Sequence, residues 1–210
     1  MWARAGSPCG RGGDRALAID CPDENRFVFV ADVAGRGRGA ERPADFLADA
    51  ARLLVCQGMG VATALETLSL AFGHYFGGRF ASAFLACICD DGTVAWASAG
   101  HPDALIVRAE GEHEHLGASG PLLGVFRDPS YRESSSALHD GDLLVVTTDG
   151  VSDALLDDGT RIGERGVARC AHAVRDAARD PAGAFVYHLF GAMRARLDDD
   201  WAVLAARRAG

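Results

Sequence analysis

Hydrophobic positions along the chain follow two rhythms, and the points where one gives way to the other outline the elements. Phe27–Val33 (FVFVADV) is a continuous aromatic and β-branched run, which reads as a strand buried on both faces. It ends in the glycine-rich turn Gly35-Arg36-Gly37-Arg38-Gly39, after which Pro43 suits the first turn of a helix. Phe46, Leu47, Ala50, Leu53 and Leu54 recur at three- and four-residue steps, so this helix runs to about Cys56 with one apolar face. Gly58 and Gly60 break it. A second helix over 61–76 gathers Ala64, Leu65, Leu68, Ala71, Phe72 and Phe76 on one side. The period then shortens: Ser82–Cys89 and Thr93–Ser98 flank Asp90-Asp91-Gly92 and predict a hairpin. Ala104–Arg108, His113–Leu116, Tyr131–Leu138 and Asp142–Thr148 read as further strands. Helical spacing returns at 162–178 and 181–197, and Trp201–Arg207 closes the chain as a strand.

Strands clustered between two helical pairs fit an α+β domain of packed sheets with helices on the outside. A dinucleotide-binding fold would alternate strand and helix throughout, and this chain does not. Its 210 residues and 22.0 kDa suit one domain, which we place at 12–210 after a loose, Gly/Arg/Pro-rich segment at 1–11. Twenty-one basic against 29 acidic residues leave a net charge of −8, which excludes a general affinity for nucleic acid or anionic membrane. The longest uncharged stretches, Leu53–Leu65 and Pro181–Met193, have 13 residues each, short of the ~18–20 that span lipid. No apolar segment marks the N-terminus as a secretory signal. Cysteines at 9, 21, 56, 87, 89 and 170 contain no C-x-x-C pair, so we expect reduced, buried thiols in a cytoplasmic protein.

Four carboxylates stand in unusual contexts. Asp14 follows Gly12-Gly13, Asp32 ends the strand FVFVA before the glycine turn, Asp149 ends LLVVTT before Gly150, and Asp199 precedes the last strand. Aspartate also caps turns well, which accounts for any one of them. Several partly desolvated carboxylates at strand ends repel one another and need a cation to stay ionised. Oxygen ligands without imidazole or thiolate favour Mg²⁺ or Mn²⁺ over zinc. Two rival patterns fail. Gly35-x-Gly37-x-Gly39 has the wrong spacing for G-x-G-x-x-G and places an aspartate where pyrophosphate would lie. Ser98, His101 and Asp103 close in one turn and cannot orient as a hydrolase relay, so His101 is expected to shape that turn.

The series Gly12-Gly13-Asp14, Asp32-Val33-Ala34-Gly35-Arg36-Gly37, Ser98-Ala99-Gly100-His101-Pro102, Gly120-Pro121-Leu122-Leu123-Gly124, Thr148-Asp149-Gly150 and Asp198-Asp199-Asp200 resembles the metal-dependent (PPM, type 2C-like) protein phosphatases. It looks closest to the bacterial branch of stage II sporulation protein E and the sigma-factor-regulating phosphatases. The motifs come in the family's order and cover residues 12–207. The resemblance implies a central antiparallel β-sandwich flanked by helices on both sides, with two Mn²⁺ or Mg²⁺ ions at one end. Asp32 would bridge both ions and the Val33 carbonyl would bind one. Asp149 and Asp199 would complete the first ion's shell, with Asp200 the alternative to Asp199, and Asp14 would serve the second. A water between the ions, held through Asp32 and Asp149, would attack phosphorus in line. The chain departs from the family's pattern at Leu17, where a second acid is common, at Arg36, and at Ala202, where a hydroxyl is usual. The strand that usually precedes Gly-Gly-Asp is expected to be missing or short.

The implied activity is hydrolysis of phosphoserine or phosphothreonine on a regulatory protein, an anti-sigma-factor antagonist of the STAS type. Control would come from dimerisation or a regulatory partner acting on the helices at 43–57 and 61–76, which follow the turn after Asp32. A second reading, of another class, is a catalytically weak phosphatase fold that serves as a signalling scaffold. Retention of Asp32, Asp149 and Asp199 favours the enzyme.

Overall fold

Alternation along one strand sets the layering. In β3 (Arg26–Val33), Phe27, Phe29, Ala31 and Val33 pack under α1 (Arg38–Cys56) and α2 (Val61–Tyr75), while Val28 and Val30 turn to the opposite sheet. A computed structural model describes residues 2–6, 12–22, 25–35, 37–177, 179–196 and 198–208. One five-stranded sheet runs β2 (Asp14–Asp20), β3, β4 (Ala81–Ile88), β5 (Thr93–Ala99), β8 (Ser134–Ala137). The other runs β1 (Trp2–Gly6), β10 (Trp201–Arg207), β9 (Leu143–Thr147), β6 (Ala104–Val107), β7 (His113–Leu116). Every pairing between these strands is antiparallel.

Between the sheets lie Phe84, Trp96, Ile106, Leu116, Leu144, Val146 and Leu204. On the far side, Leu143, Val145, Val203 and Ala205 pack against α4 (Gly163–Val174) and α5 (Pro181–Tyr187). The result is four layers, helix, sheet, sheet, helix, as the resemblance implied. Each fully buried Phe, Leu or Val contributes about 1.5–3 kcal/mol, which makes the sandwich a stiff frame for whatever its ends carry.

Five expectations are corrected. The segment at 1–11 is not wholly loose: Trp2–Gly6 forms β1, pairing with Ala205–Trp201 and covering what would be the open edge of β10; residues 7–11, with Cys9, lie outside the described residues. Strand β1 also precedes Gly12-Gly13-Asp14, where a strand was expected to be missing or short, and a strand at Asp14–Asp20 that the sequence did not announce precedes β3. Its Ala-rich sequence carries little strand propensity, and its partner β3 supplies the order. Cys21 and Cys56 are not free thiols but a disulfide with Cα atoms 5.1 Å apart, because the end of β2 and the end of α1 meet there. The helix expected over 181–197 ends at Tyr187 and continues as a π-helical turn, His188–Ala192. Helix α1 starts at Arg38, since Gly37 (φ 64) turns the chain directly into it. Among the described residues, no helix is long and apolar enough to cross a membrane.

Candidate functional site

The same alternation that builds the core places the carboxylates. Val28 and Val30 face the other sheet, and Asp32 is the next residue in that row, at the open end of the sandwich. Asp14 is its register partner on β2. On β10, Ala202 and Leu204 face inward, and Asp200 precedes them in the same row. Asp149 begins the short helix α3 (Asp149–Ser152) immediately beyond β9. Asp14, Asp32, Asp149, Asp199 and Asp200 thereby line one cavity of about 300 Å³, with Ala34, Gly35 and Phe80.

Close approach explains the glycines. The Gly13 N–H donates to Asp200 Oδ2 at 2.8 Å, tying the start of β2 to the start of β10. A Cβ on Gly12 would lie 2.0 Å from the same oxygen, and one on Gly150 only 1.8 Å from the Asp200 carbonyl oxygen. The Val33 carbonyl oxygen lies beside Gly13, 2.6 Å from where a Cβ would project, and the Val33 N–H donates to the Gly13 carbonyl at 3.3 Å.

The cluster is electrostatically uncomfortable. Burial and the Asp32 charge push the Asp14 carboxyl well above its ordinary range, against a lowering contact with Thr148. Burial, then Asp149, Asp199 and Asp200, raise Asp32 in the same sense. Asp149 is raised by burial and by Asp153 and Asp199. Among the described residues no basic side chain lines the cavity, and the buried Asp14 Oδ2 has no hydrogen-bond partner. An unpartnered buried carboxylate oxygen among four other carboxylates fits hard divalent cations. Among the described residues, no three of these side chains already meet in a closed ligand set.

A larger cleft, about 510 Å³, shares Asp32, Ala34, Phe80 and Asp149 and runs past His101 and Leu122 towards His115 and Glu164. Its wall holds a pair that sequence reasoning missed. His101 is buried, and its Nδ1 lies 2.8 Å from the Oγ of Ser82, the register partner of Asp32. Burial holds the His101 imidazole down to about 3, so it is neutral. His101 therefore does more than shape a turn. The only signal for this was a histidine following a strand-end glycine. Ser98, by contrast, is fully buried and absent from the cleft lining, so no relay with His101 exists. Arg36 lies outside the described residues.

Similarity to known proteins agrees with this geometry. The curated protein IcfG of Synechocystis sp. is 32% identical over 76 residues, 36% of this chain and 12% of that one. Among solved structures, the RsbU and RsbW domains of Rv1364c from Mycobacterium tuberculosis superpose with a TM-score of 0.82 at 22% identity, over 99% of this chain and 60% of that one. The PP2C phosphatase domain of SpoIIE from Bacillus subtilis, with a fragment of its regulatory domain, gives 0.80 at 15% identity, over 99% and 62%. The SiaA-PP2C domain of Pseudomonas aeruginosa gives 0.81 at 22%, over 99% and 85%. The chain thus spans about three fifths of the first two and a small part of IcfG, and it shares the PP2C phosphatase fold. Residues 22–209 match the profile of stage II sporulation protein E, and the chain belongs to the SpoIIE family.

Proposed function

We propose that this chain is a Mn²⁺- or Mg²⁺-dependent protein phosphatase acting on phosphoserine or phosphothreonine. The observation that carries the reading is that five aspartates, Asp14, Asp32, Asp149, Asp199 and Asp200, line one cavity. Asp32, with Asp14 opposite it and the Val33 carbonyl beside it, would be the carboxylate shared between the ions; Asp149 and Asp199 would hold one ion and Asp14 would help hold the other. Asp200 accepts from the Gly13 N–H and Asp199 Oδ1 from the Asp200 N–H, so Asp200 stays the alternative ligand and single alanine variants of the two decide between them. The chemistry that such ions supply is a nucleophile at neutral pH and neutralisation of phosphoryl charge. Phe80 and Leu122 give the cleft apolar walls that limit water, and the cleft seats the chain bearing the phosphoryl group.

For the substrate we infer a phosphorylated regulatory protein of the STAS type. Support comes from the likeness to the RsbU and RsbW domains of Rv1364c and to a structure described under the bacterial stressosome. Such a substrate places the reaction in the cytoplasm. Helices α1 and α2 follow the turn after Asp32, which gives a partner or second copy a lever on that ligand.

The test is manganese-dependent hydrolysis of p-nitrophenyl phosphate, abolished by EDTA and by Asp32→Ala. Near-normal turnover of Asp32→Ala would refute the site assignment. A folded protein without activity in millimolar Mn²⁺ would leave the scaffold reading. Equal rates on a phosphorylated STAS protein and a generic phosphopeptide would remove the substrate assignment alone.

A further inference from the structure

Strand β7 carries His113 and His115 two residues apart, hence on one face of the strand. Facing them, Glu164, Ala168 and His172 recur at four-residue steps along α4. With Arg165 and Arg169 these residues enclose a cavity of about 450 Å³, outside the aspartate cluster. In it, Nδ1 of His113 and Nε2 of His172 stand 3.2 Å apart.

Two ring nitrogens aimed at each other admit two descriptions. One is an N–H···N hydrogen bond. The other is a shared metal ion, since nitrogens ~2.0–2.1 Å from a tetrahedral ion lie roughly 3.3 Å from each other. The observed spacing suits chelation with neither backbone moving. We propose that His113 and His172 bind a borderline divalent transition metal, of the zinc and nickel class, as a two-imidazole clamp between β7 and α4.

Imidazole prefers such ions to Mg²⁺ and Mn²⁺, the reverse of the carboxylate set. Burial, then His113 and Arg175, hold His172 below the ordinary imidazole range, which keeps its lone pair available at neutral pH. On binding, a proton on an inward-facing nitrogen passes through solvent to the outward nitrogen of the same ring, so two neutral rings release none. Glu164 offsets the ion's charge against Arg165 and Arg169, and water fills the remaining positions. Among the described residues no third donor stands ready, so the clamp is a two-histidine site. His115 and Glu164 also line the cleft beside the aspartates, and His115 reaches Asp103, Nδ1 to Oδ2, at 3.4 Å. An ion held here therefore stiffens the outer wall of that cleft.

The experiment is calorimetric titration of Zn²⁺ into the untagged chain and into its histidine variants, zinc taken up by the carboxylates being common to all of them. The expected result is a zinc-binding step in the wild type that is weakened at least about tenfold in both His113→Ala and His172→Ala and unchanged in His74→Ala. Equal zinc affinity in the wild type and both variants would overturn the clamp. If either variant fails to fold by circular dichroism, the His113 and His172 ring resonances of the wild type decide instead: they shift with stoichiometric Zn²⁺, or the proposal is wrong. Phosphatase activity enters neither readout, so this outcome is independent of the catalytic reading.

Discussion

Among the described residues Asp142 is the most buried carboxylate outside the cavity, at 1% exposure, yet it stays ionised. Burial alone would raise its pKa, but the Arg108 guanidinium at 2.7 Å and the N–H groups of His139 and Ala109 outweigh burial and hold it below its ordinary value. A depressed folded pKa contributes stability above the unfolded value that is lost as pH falls through the folded one. Asp142→Asn is therefore expected to cost roughly 1.5–3 kcal/mol at pH 7. That gap should close below about pH 4, which denaturant titrations at several pH values would show. Gly150→Ala drives a methyl group into the Asp200 carbonyl and should displace α3 from β10, lowering the melting temperature and manganese response together. Asp14, Asp32 and Asp149 were legible in the sequence because each sits at a strand boundary beside glycine. That Asp200 continues the inward row of Ala202 and Leu204 becomes legible only once β10 is in place. The His101–Ser82 contact rests on the register of the β4–β5 hairpin and on the Ala83–Gly100 bridge beyond it, which the turn signal alone does not fix.

At the scale of elements, long periodic segments and the edge strand at 113–116 were readable, and the two N-terminal edge strands were not. Residues 61–75 and 201–207 fold as their hydrophobic spacing predicts, whereas β1 and β2 owe their order to neighbours. The disulfide belongs to the same class of miss, since Cys21 and Cys56 are 35 residues apart and meet only after α1 docks. Closing a loop of that size removes unfolded-state entropy worth about 3–4 kcal/mol in the chain-entropy model. Cys56→Ser, or thorough reduction, should lower unfolding free energy by an amount of that order. Equal denaturation midpoints with and without reductant would show that the bond contributes nothing in solution. In a reducing cytoplasm the same bond would open, and α1, which follows the turn after Asp32, would lose its tether to β2.

At the scale of the whole molecule, two sheets share one core, so damage to either should loosen both. Leu144 is fully buried between them, and Leu144→Ala is expected to cost about 2–5 kcal/mol in a single cooperative transition. Two transitions would mean that the sheets unfold separately. The pairing of β1 with β10 carries a further consequence, for connectivity. Trp2 lies opposite Ala205 and Gly6 opposite Trp201, so the two ends of the fold run side by side as neighbouring strands, a few ångströms apart. A chain so arranged is close to a ring. A short linker joining its ends, with new termini cut at the exposed Gly111 turn between β6 and β7, should give a circular permutant with the same sandwich and the same aspartate cavity. Far-ultraviolet dichroism and manganese-dependent turnover matching the parent would bear this out, and an aggregated or unfolded permutant would show that the order of the strands along the chain matters as well as their places in the sheets.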